Sequence, residues 1–131
     1  MGTNAKRLLA DVRALLIQFN ISKAERYEAN VIAFLDQCPK DDILEITTVS
    51  WDNEGEFDFH WKTQRLDCWF SVGLEDVRWS VWVGINNHCK DEECYMEGWG
   101  GMKIEDCDYF TYGFFDSIDW KILKIDRGQN G

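Results

Sequence analysis

One stretch of the sequence, residues 43–85, alternates apolar and polar side chains over four short runs. Three polar segments separate these runs: DNEG at Asp52–Gly55, KTQR at Lys62–Arg65 and GLED at Gly73–Asp76. Apolar residues at every second position share one face of a β-strand, and short polar breaks join neighbouring strands into hairpins. The stretch therefore predicts an antiparallel meander, and this sheet constrains what the remainder of the chain can do.

Four-residue loops would fix which residues pair across the three hairpins. The predicted pairs are Ser50 with Phe57, Trp61 with Leu66, and Val72 with Val77. One face then holds the apolar residues and is the predicted core face: Leu44, Ile46, Phe57, Phe59, Trp61, Leu66, Cys68, Phe70, Val72, Val77, Trp79, Val81, Val83 and Ile85.

The opposite face mixes acidic residues with three tryptophans. Its predicted members are Glu45, Val49, Trp51, Glu56, Asp58, His60, Asp67, Trp69, Ser71, Arg78, Ser80 and Trp82. A face that only contacts water carries mostly small polar and charged side chains. The tryptophans therefore indicate either a cover formed by the C-terminal segment or a surface for a partner. A register error of one residue would exchange the two faces.

Two amphipathic helices are predicted before the sheet. Apolar residues recur at helical spacing from Leu8 to Phe19, and Thr3 or Asn4 can cap this first helix. Ser22 and Glu25 form a capping box for a second helix that stops at Pro39. Its apolar side holds Tyr27, Val31, Phe34, Leu35 and Cys38. Because the break between the helices is short, we expect an αα-hairpin packed on the core face of the sheet.

The segment after the meander predicts a polar loop over 86–93 and a fifth strand over Cys94–Trp99. The nearby glycines allow a sharp turn or a close backbone approach. Residues 116–125 favour a terminal helix, although their alternation also allows an edge strand. The prediction is a single α+β domain: an αα-hairpin over 1–38, a four- to five-stranded antiparallel sheet over 43–99 and a C-terminal segment over 109–126.

Charge restricts the possible partners. The formal net charge is −10, and residues 36–131 hold 21 acids against nine bases. Such a field repels phosphate, so it disfavours direct binding to nucleic acid or to an anionic membrane, and it attracts basic proteins. Acidity alone also serves solubility. The sequence contains neither an apolar run long enough to span a bilayer nor a signal peptide, so we expect a cytoplasmic protein.

Two groups of residues suggest chemistry, and in both the simpler interpretation is favoured. His88, Cys89, Cys94 and Cys107 are four zinc-type ligands, but they lack the tight C-x2-C spacing, and ordinary thiols are preferred. His60 and Asp67 are expected to face one another as a surface pair, with no nucleophile or catalytic motif beside them. We therefore predict no cofactor and no enzymatic activity.

Carboxylates and tryptophans together predict a partner-binding surface. Glu56 and Asp58 are two residues apart on one strand face, about 6.8 Å, and rows of such charges suit a groove built for phosphates. Indoles beside charges are typical of binding hot spots. The predicted partner-binding residues are Glu54, Glu56, Asp58, Trp69, Trp82, Asp91, Glu92, Glu93, Glu105, Asp106 and Asp108.

The functional hypothesis is a small acidic inhibitor that binds a basic nucleic-acid-handling protein, such as a nuclease, and blocks its nucleic-acid site. In size, charge and lack of catalytic motifs the chain resembles anti-CRISPR, anti-restriction and immunity proteins, and no family motif carries this likeness. Two alternatives remain: a module that binds a small ligand or peptide on its aromatic face, and a zinc-stabilised interaction domain.

Overall fold

A computed structural model gives the structure of the protein and describes residues 1–37, 44–45, 47–62, 66–84 and 94–106. Two helices come first, α1 over Thr3–Gln18 and α2 over Ala24–Gln37. Five strands follow, and a short 3-10 helix closes the described part of the chain. They are β1 over Thr48–Trp51, β2 over Phe57–Lys62, β3 over Leu66–Val72, β4 over Asp76–Gly84, β5 over Cys94–Lys103 and the 3-10 helix over Ile104–Asp106.

The strands form one antiparallel sheet in the order β1-β2-β3-β4-β5, so the predicted α+β meander is confirmed. The fifth strand is confirmed as well, and it continues through the glycines to Lys103. The C-terminal segment predicted over 109–126 lies outside the described residues. Within the described chain, neither helix is long and apolar enough to cross a membrane.

Both helices form the predicted hairpin and turn their apolar stripes towards the sheet. Leu8, Val12 and Leu16 of α1 are buried at the spacing of one helix face, as are Val31 and Phe34 of α2. The connection reverses within a few residues because Asn20 and Lys23 adopt left-handed conformations, with φ of 48° and 60°. Since α2 begins at Ala24, Ser22 lies before the cap position that the capping box assigned to it.

Phenylalanine rings fill the contact between α2 and the sheet. Phe34 is fully buried, and its ring lies 5.2 Å from those of both Phe59 and Phe70. Tyr27 packs edge-on against Trp51 and Phe57, at centroid distances of 5.4 and 5.6 Å. Offset and edge-on packing of this kind adds to the free energy gained from burying the rings. We call the sheet surface beneath the helices the inner face.

The predicted faces are correct for β2, β3 and β4 but wrong for β1. Trp51, not Ser50, pairs with Phe57, so Val49 and Trp51 lie on the inner side and pack against the core. The cause is the turn. Asp52 N donates to Glu56 O at 3.1 Å, and the Asp52 carboxylate accepts from the backbone N–H groups of Glu54 and Glu56. The loop therefore runs to five residues instead of four, and one extra residue exchanges the faces of a strand.

The second hairpin departs from the prediction by two residues, and the third matches it. Trp61 pairs with Cys68 rather than Leu66, a shift that leaves the faces unchanged. Val72 pairs with Val77 as predicted, and Gly73 N donates to Asp76 O at 2.9 Å to close that turn. Cys68 is buried on the inner face, as expected for a small apolar residue.

Candidate binding site on the outer face of the sheet

The sheet surface turned away from the helices, which we call the outer face, carries polar and aromatic side chains. Strand pairing arranges them in rows that run across the strands. One row holds Thr48, His60, Trp69, Ser80 and Trp99. The next holds Ser50, Asp58, Ser71, Arg78 and Gly101. The sequence order alone does not reveal these neighbours, because each row takes one residue from each strand.

Two tryptophans of the first row are exposed. Trp69 is 39% exposed and Trp99 is 75% exposed, and each pairs with Ser80 from opposite sides. Strands lie about 4.8 Å apart, so the backbone positions of the two tryptophans are about 10 Å apart. Ser80 between them has a short side chain. The outer face therefore presents two large apolar groups with a gap between them.

His60 completes the row as a ring stacked on Trp69. The two ring centroids are 3.6 Å apart and the planes differ by 3°. The Nε2 atom of His60 lies 2.7 Å from Oδ1 of Asp67, so the predicted contact between these two residues is confirmed. Their strand positions are diagonal, however, because His60 pairs with Trp69 and Lys62 pairs with Asp67. The carboxylate thus fixes the imidazole, and the imidazole supports one face of the indole.

The arginine of the second row holds a buried acid from the turn before β2. Glu56 has a side chain only 11% exposed, and Arg78 grips it with Nε donating to Oε2 at 2.9 Å and Nη2 donating to Oε1. A fork of this kind is the strong form of an arginine–carboxylate pair. Glu56 is therefore removed from the predicted series of exposed charges.

Asp58, the next predicted acid, is half-buried and accepts a hydrogen bond from Ser71 Oγ at 2.7 Å. Burial raises the pKa of the Asp58 carboxyl, and the carboxylates of Asp52 and Glu56 raise it further. The hydrogen bond from Ser71 and the charge of Arg78 act in the opposite direction. The surroundings of Asp58 therefore disfavour its ionised form, and ionisable residues in such surroundings are candidates for a binding role.

Acidic side chains collect at one end of the sheet, which we call the acidic rim. This end of the sheet holds the β1–β2 turn, the β3–β4 turn and the last residues of β5, because alternate connections of a meander lie at the same end of the strands. The rim consists of Asp52, Glu54, Glu56, Glu75, Asp76, Glu105 and Asp106. All of these except Asp52 and Glu56 are exposed. Residues distant in sequence therefore contribute to one acidic rim.

A groove of about 680 Å³ runs over the outer face between the exposed tryptophans. Its uncharged lining residues are Trp69, Ser71, Trp79, Ser80, Trp99, Gly100 and Gly101. Its charged lining residues are Asp58, Asp76 and Arg78. Gly101 contributes no side chain opposite Arg78, and the Arg78 side chain lies over that position, with Cγ 3.4 Å from where a Cβ atom would be. The groove is polar at its base and aromatic at its sides.

The predicted partner-binding residues are only partly brought together. Asp58 and Trp69 line the groove, and Glu54, Glu105 and Asp106 are exposed on the acidic rim. Trp82 is half-buried and pairs with Asp67 further along the outer face. Asp91, Glu92, Glu93 and Asp108 lie outside the described residues.

The zinc ligands fall mostly outside the described chain. His88, Cys89 and Cys107 are not among the described residues, and Cys94 is the first residue of β5. Within the described residues, no three or more His, Cys, Asp or Glu side chains are grouped to hold a metal ion.

Two residues of the site do not follow from the sequence alone. The sequence predicts Trp99 only as the end of a short fifth strand, and its position beside Ser80 depends on how β5 pairs with β4. The sequence predicts Arg78 on the outer face but does not predict its partner, because Glu56 is 22 positions away. The sequence signal for Trp99 is Gly101, because residues two apart share a strand face and a glycine there leaves the neighbouring side chain uncrowded.

No protein-family model matches this sequence, and no curated protein and no solved structure matches it at a significant level.

Proposed function

We propose that this protein is a non-enzymatic inhibitor that uses the outer face of its sheet to bind a basic, nucleic-acid-handling protein and to cover that protein's nucleic-acid site. The observation that carries the proposal is the pair of exposed indoles, Trp69 and Trp99, beside the acidic rim. Indoles supply affinity when a partner buries them, and clustered charge of one sign speeds the encounter with a partner of the other sign.

The acids that this proposal uses as phosphate-like charges differ from those predicted from the sequence. Glu56 is neutralised by Arg78 and is not available to a partner. Glu54, Glu105 and Asp106 are exposed at one edge, and Glu75 and Asp76 join them there. A basic groove that normally accepts a phosphate backbone would find several carboxylates along this edge, next to apolar rings.

A second candidate function follows from the groove itself. Its volume of about 680 Å³ is within the range of ligand-binding clefts, and a small molecule or short peptide would contact both indoles. The two functions differ in their dependence on salt, because binding through the acidic rim weakens with ionic strength and stacking of an uncharged ligand in the groove does not.

The proposal is tested by capture followed by competition. The immobilised protein is exposed to a nuclease-treated extract of its source cells, and a retained protein is purified and titrated against labelled nucleic acid. We expect a basic protein whose release follows rising salt, and whose nucleic acid is displaced by this protein in proportion to the fraction bound.

Matched charge reversals locate the surface. The variant Glu105→Lys/Asp106→Lys changes the rim, and Asp11→Lys/Asp36→Lys makes the same change in net charge on exposed positions of the helices. We expect the first to weaken binding at least 10-fold and the second to weaken it much less. Equal losses from the two variants would mean that net charge alone explains binding, and an inhibitor that leaves nucleic-acid binding intact would contradict the proposal.

A further inference from the structure

The orientation of the Trp69 ring decides what the groove can hold. Its ring is parallel to that of His60, which comes from the neighbouring strand β2. The stack therefore runs across the strands, and the indole stands upright on the sheet. One face of Trp69 is covered by His60, and the other face is turned along the row towards Ser80 and Trp99. An upright ring leaves a gap for a flat group, whereas rings lying on the sheet would form a platform.

The size of the gap suits one planar group stacked on an indole. The backbones of β3 and β5 are about 10 Å apart, and a stacked group is about 3.5 Å from the ring it contacts. Ser80 between the rings is too short to fill this space. Gly101 adds no side chain at the next position of this face, and the side chain of Arg78 lies against it.

Charge selects a cation for this gap. Asp58 and Asp76 line the groove with Arg78, and the Arg78 guanidinium is held by Glu56. With Glu56 and with Lys103, the strand partner of Asp76, included, three carboxylates lie beside two cationic side chains, so one carboxylate is in excess. Indole faces also attract cations, because the ring carries negative charge above its plane.

The narrow gap favours a flat cation. A guanidinium is flat and stacks on an indole while its N–H groups reach carboxylates to the side, whereas an ammonium is a compact, strongly hydrated charge. We infer that the groove between Trp69 and Trp99 takes an arginine side chain of the protein partner, stacked on Trp69 and hydrogen-bonded towards Asp58. This inference rests on the proposed function and specifies the contact through which the partner is held.

A peptide series tests the inference without altering the protein. Capped pentapeptides Gly-Gly-X-Gly-Gly, with X as arginine, lysine, citrulline or serine, are titrated against the labelled protein, and the indole N–H signals are followed by NMR. Citrulline has the shape of arginine without its charge. We expect the arginine peptide to shift the Trp69 and Trp99 signals and to bind about 5- to 10-fold more tightly than the citrulline peptide. The signal of Trp51, on the inner side, serves as an internal reference.

Protein variants provide the second arm. We expect Trp69→Ala and Trp99→Ala each to weaken the arginine peptide about 10-fold, and Asp58→Asn to weaken it about 3-fold. Phe19→Ala is the matched control, because Phe19 is an exposed aromatic residue at the end of α1. Equal affinity for the arginine and citrulline peptides would show that the groove does not require a positive charge. Equal affinity for the arginine and lysine peptides would show that it does not prefer a flat cation.

Failure of this inference is distinguishable from failure of the proposed function. If the captured partner binds both tryptophan variants as well as wild type but loses affinity for Glu105→Lys/Asp106→Lys, the arginine contact is wrong and the inhibitor proposal stands. If neither set of variants affects the captured partner, both are wrong. If the peptides behave as expected but no basic protein is captured, the groove is a cation-binding site and the inhibitor proposal is wrong.

Discussion

The inner and outer faces of one sheet use aromatic residues in different ways. On the inner face Phe57, Phe59 and Phe70 are fully buried and touch the rings of α2. On the outer face Trp69 stacks on a polar imidazole that a carboxylate holds, and it remains partly exposed. The number of aromatic residues in a sequence therefore does not indicate how many of them lie in the core. The surroundings of each ring decide whether it stabilises the fold or remains open for a partner.

The largest loss of stability is expected from removing the phenylalanine ring of α2 that packs on the inner face. Phe34→Ala removes the ring that lies between Phe59 and Phe70, and we expect a loss of about 3 to 5 kcal/mol in the free energy of unfolding. Phe19→Ala, at an exposed aromatic residue, should cost about 0.5 kcal/mol. Urea denaturation followed by circular dichroism measures both. Similar losses in the two variants would contradict the assignment of the core.

A smaller loss is expected at the glycines of β5. A Cβ atom on Gly100 would lie 3.0 Å from Cζ2 of Trp79, so Gly100→Ala must displace a rigid indole, at about 1 to 3 kcal/mol. Gly101→Ala is the neighbouring control, because its Cβ would lie no closer than 3.4 Å to any neighbour, and it should cost less than about 1 kcal/mol. Comparing thermal midpoints separates them. A greater loss from Gly101→Ala than from Gly100→Ala would contradict the close contact between Gly100 and the Trp79 indole.

The ion pair of the outer face gives the next effect. Arg78→Gln leaves the nearly buried Glu56 carboxylate without its charged partner, and we expect a loss of about 1 to 2 kcal/mol. The loss is modest because the Arg78 side chain is 62% exposed and water screens its charge. Arg78→Lys retains the charge and loses the fork, so about half of that loss should remain. Denaturant titrations at low and high salt test this order, and a lysine variant as unstable as the glutamine variant would show that geometry alone matters.

The smallest effect is a gain, and it concerns the groove. Because burial raises the pKa of Asp58 in the folded protein, the folded state binds more protons than the unfolded chain just above the ordinary pKa of aspartate. Stability therefore falls as the pH rises through that window, and the ionised carboxylate lowers stability at neutral pH. Asp58→Asn should add about 0.5 kcal/mol at pH 7 and reduce this pH dependence.

Denaturation of wild type and Asp58→Asn from pH 4 to pH 7 checks the sign of that effect. A variant that is more stable yet binds the arginine peptide less well would show that Asp58 serves binding at the expense of folding. A variant that is less stable at pH 7 would mean that the carboxylate stabilises the fold and is not kept for binding at a cost to stability.

Much of the fold followed from periodicity, and the errors have local causes. Helical spacing in 8–19 and alternation in 57–83 are repeated many times, so single exceptions do not change the interpretation. The face of β1 rested on one turn, and the Asp52 side chain lengthened that turn by one residue through hydrogen bonds that periodicity does not encode. The site was less predictable. Trp69 and Asp58 were identified by their alternation, whereas Trp99 and Arg78 needed the pairing of strands.

Apolar spacing of 3.6 or 2 residues is a local property, so the two helices, the antiparallel meander and the two unlike sheet faces could be predicted from the amino acids in order. Three contacts could not: His60 supports Trp69, Ser80 separates Trp69 from Trp99, and the acids of three separate segments share one rim. These contacts depend on strand register, and register is set by turn lengths and by burial of the whole inner face.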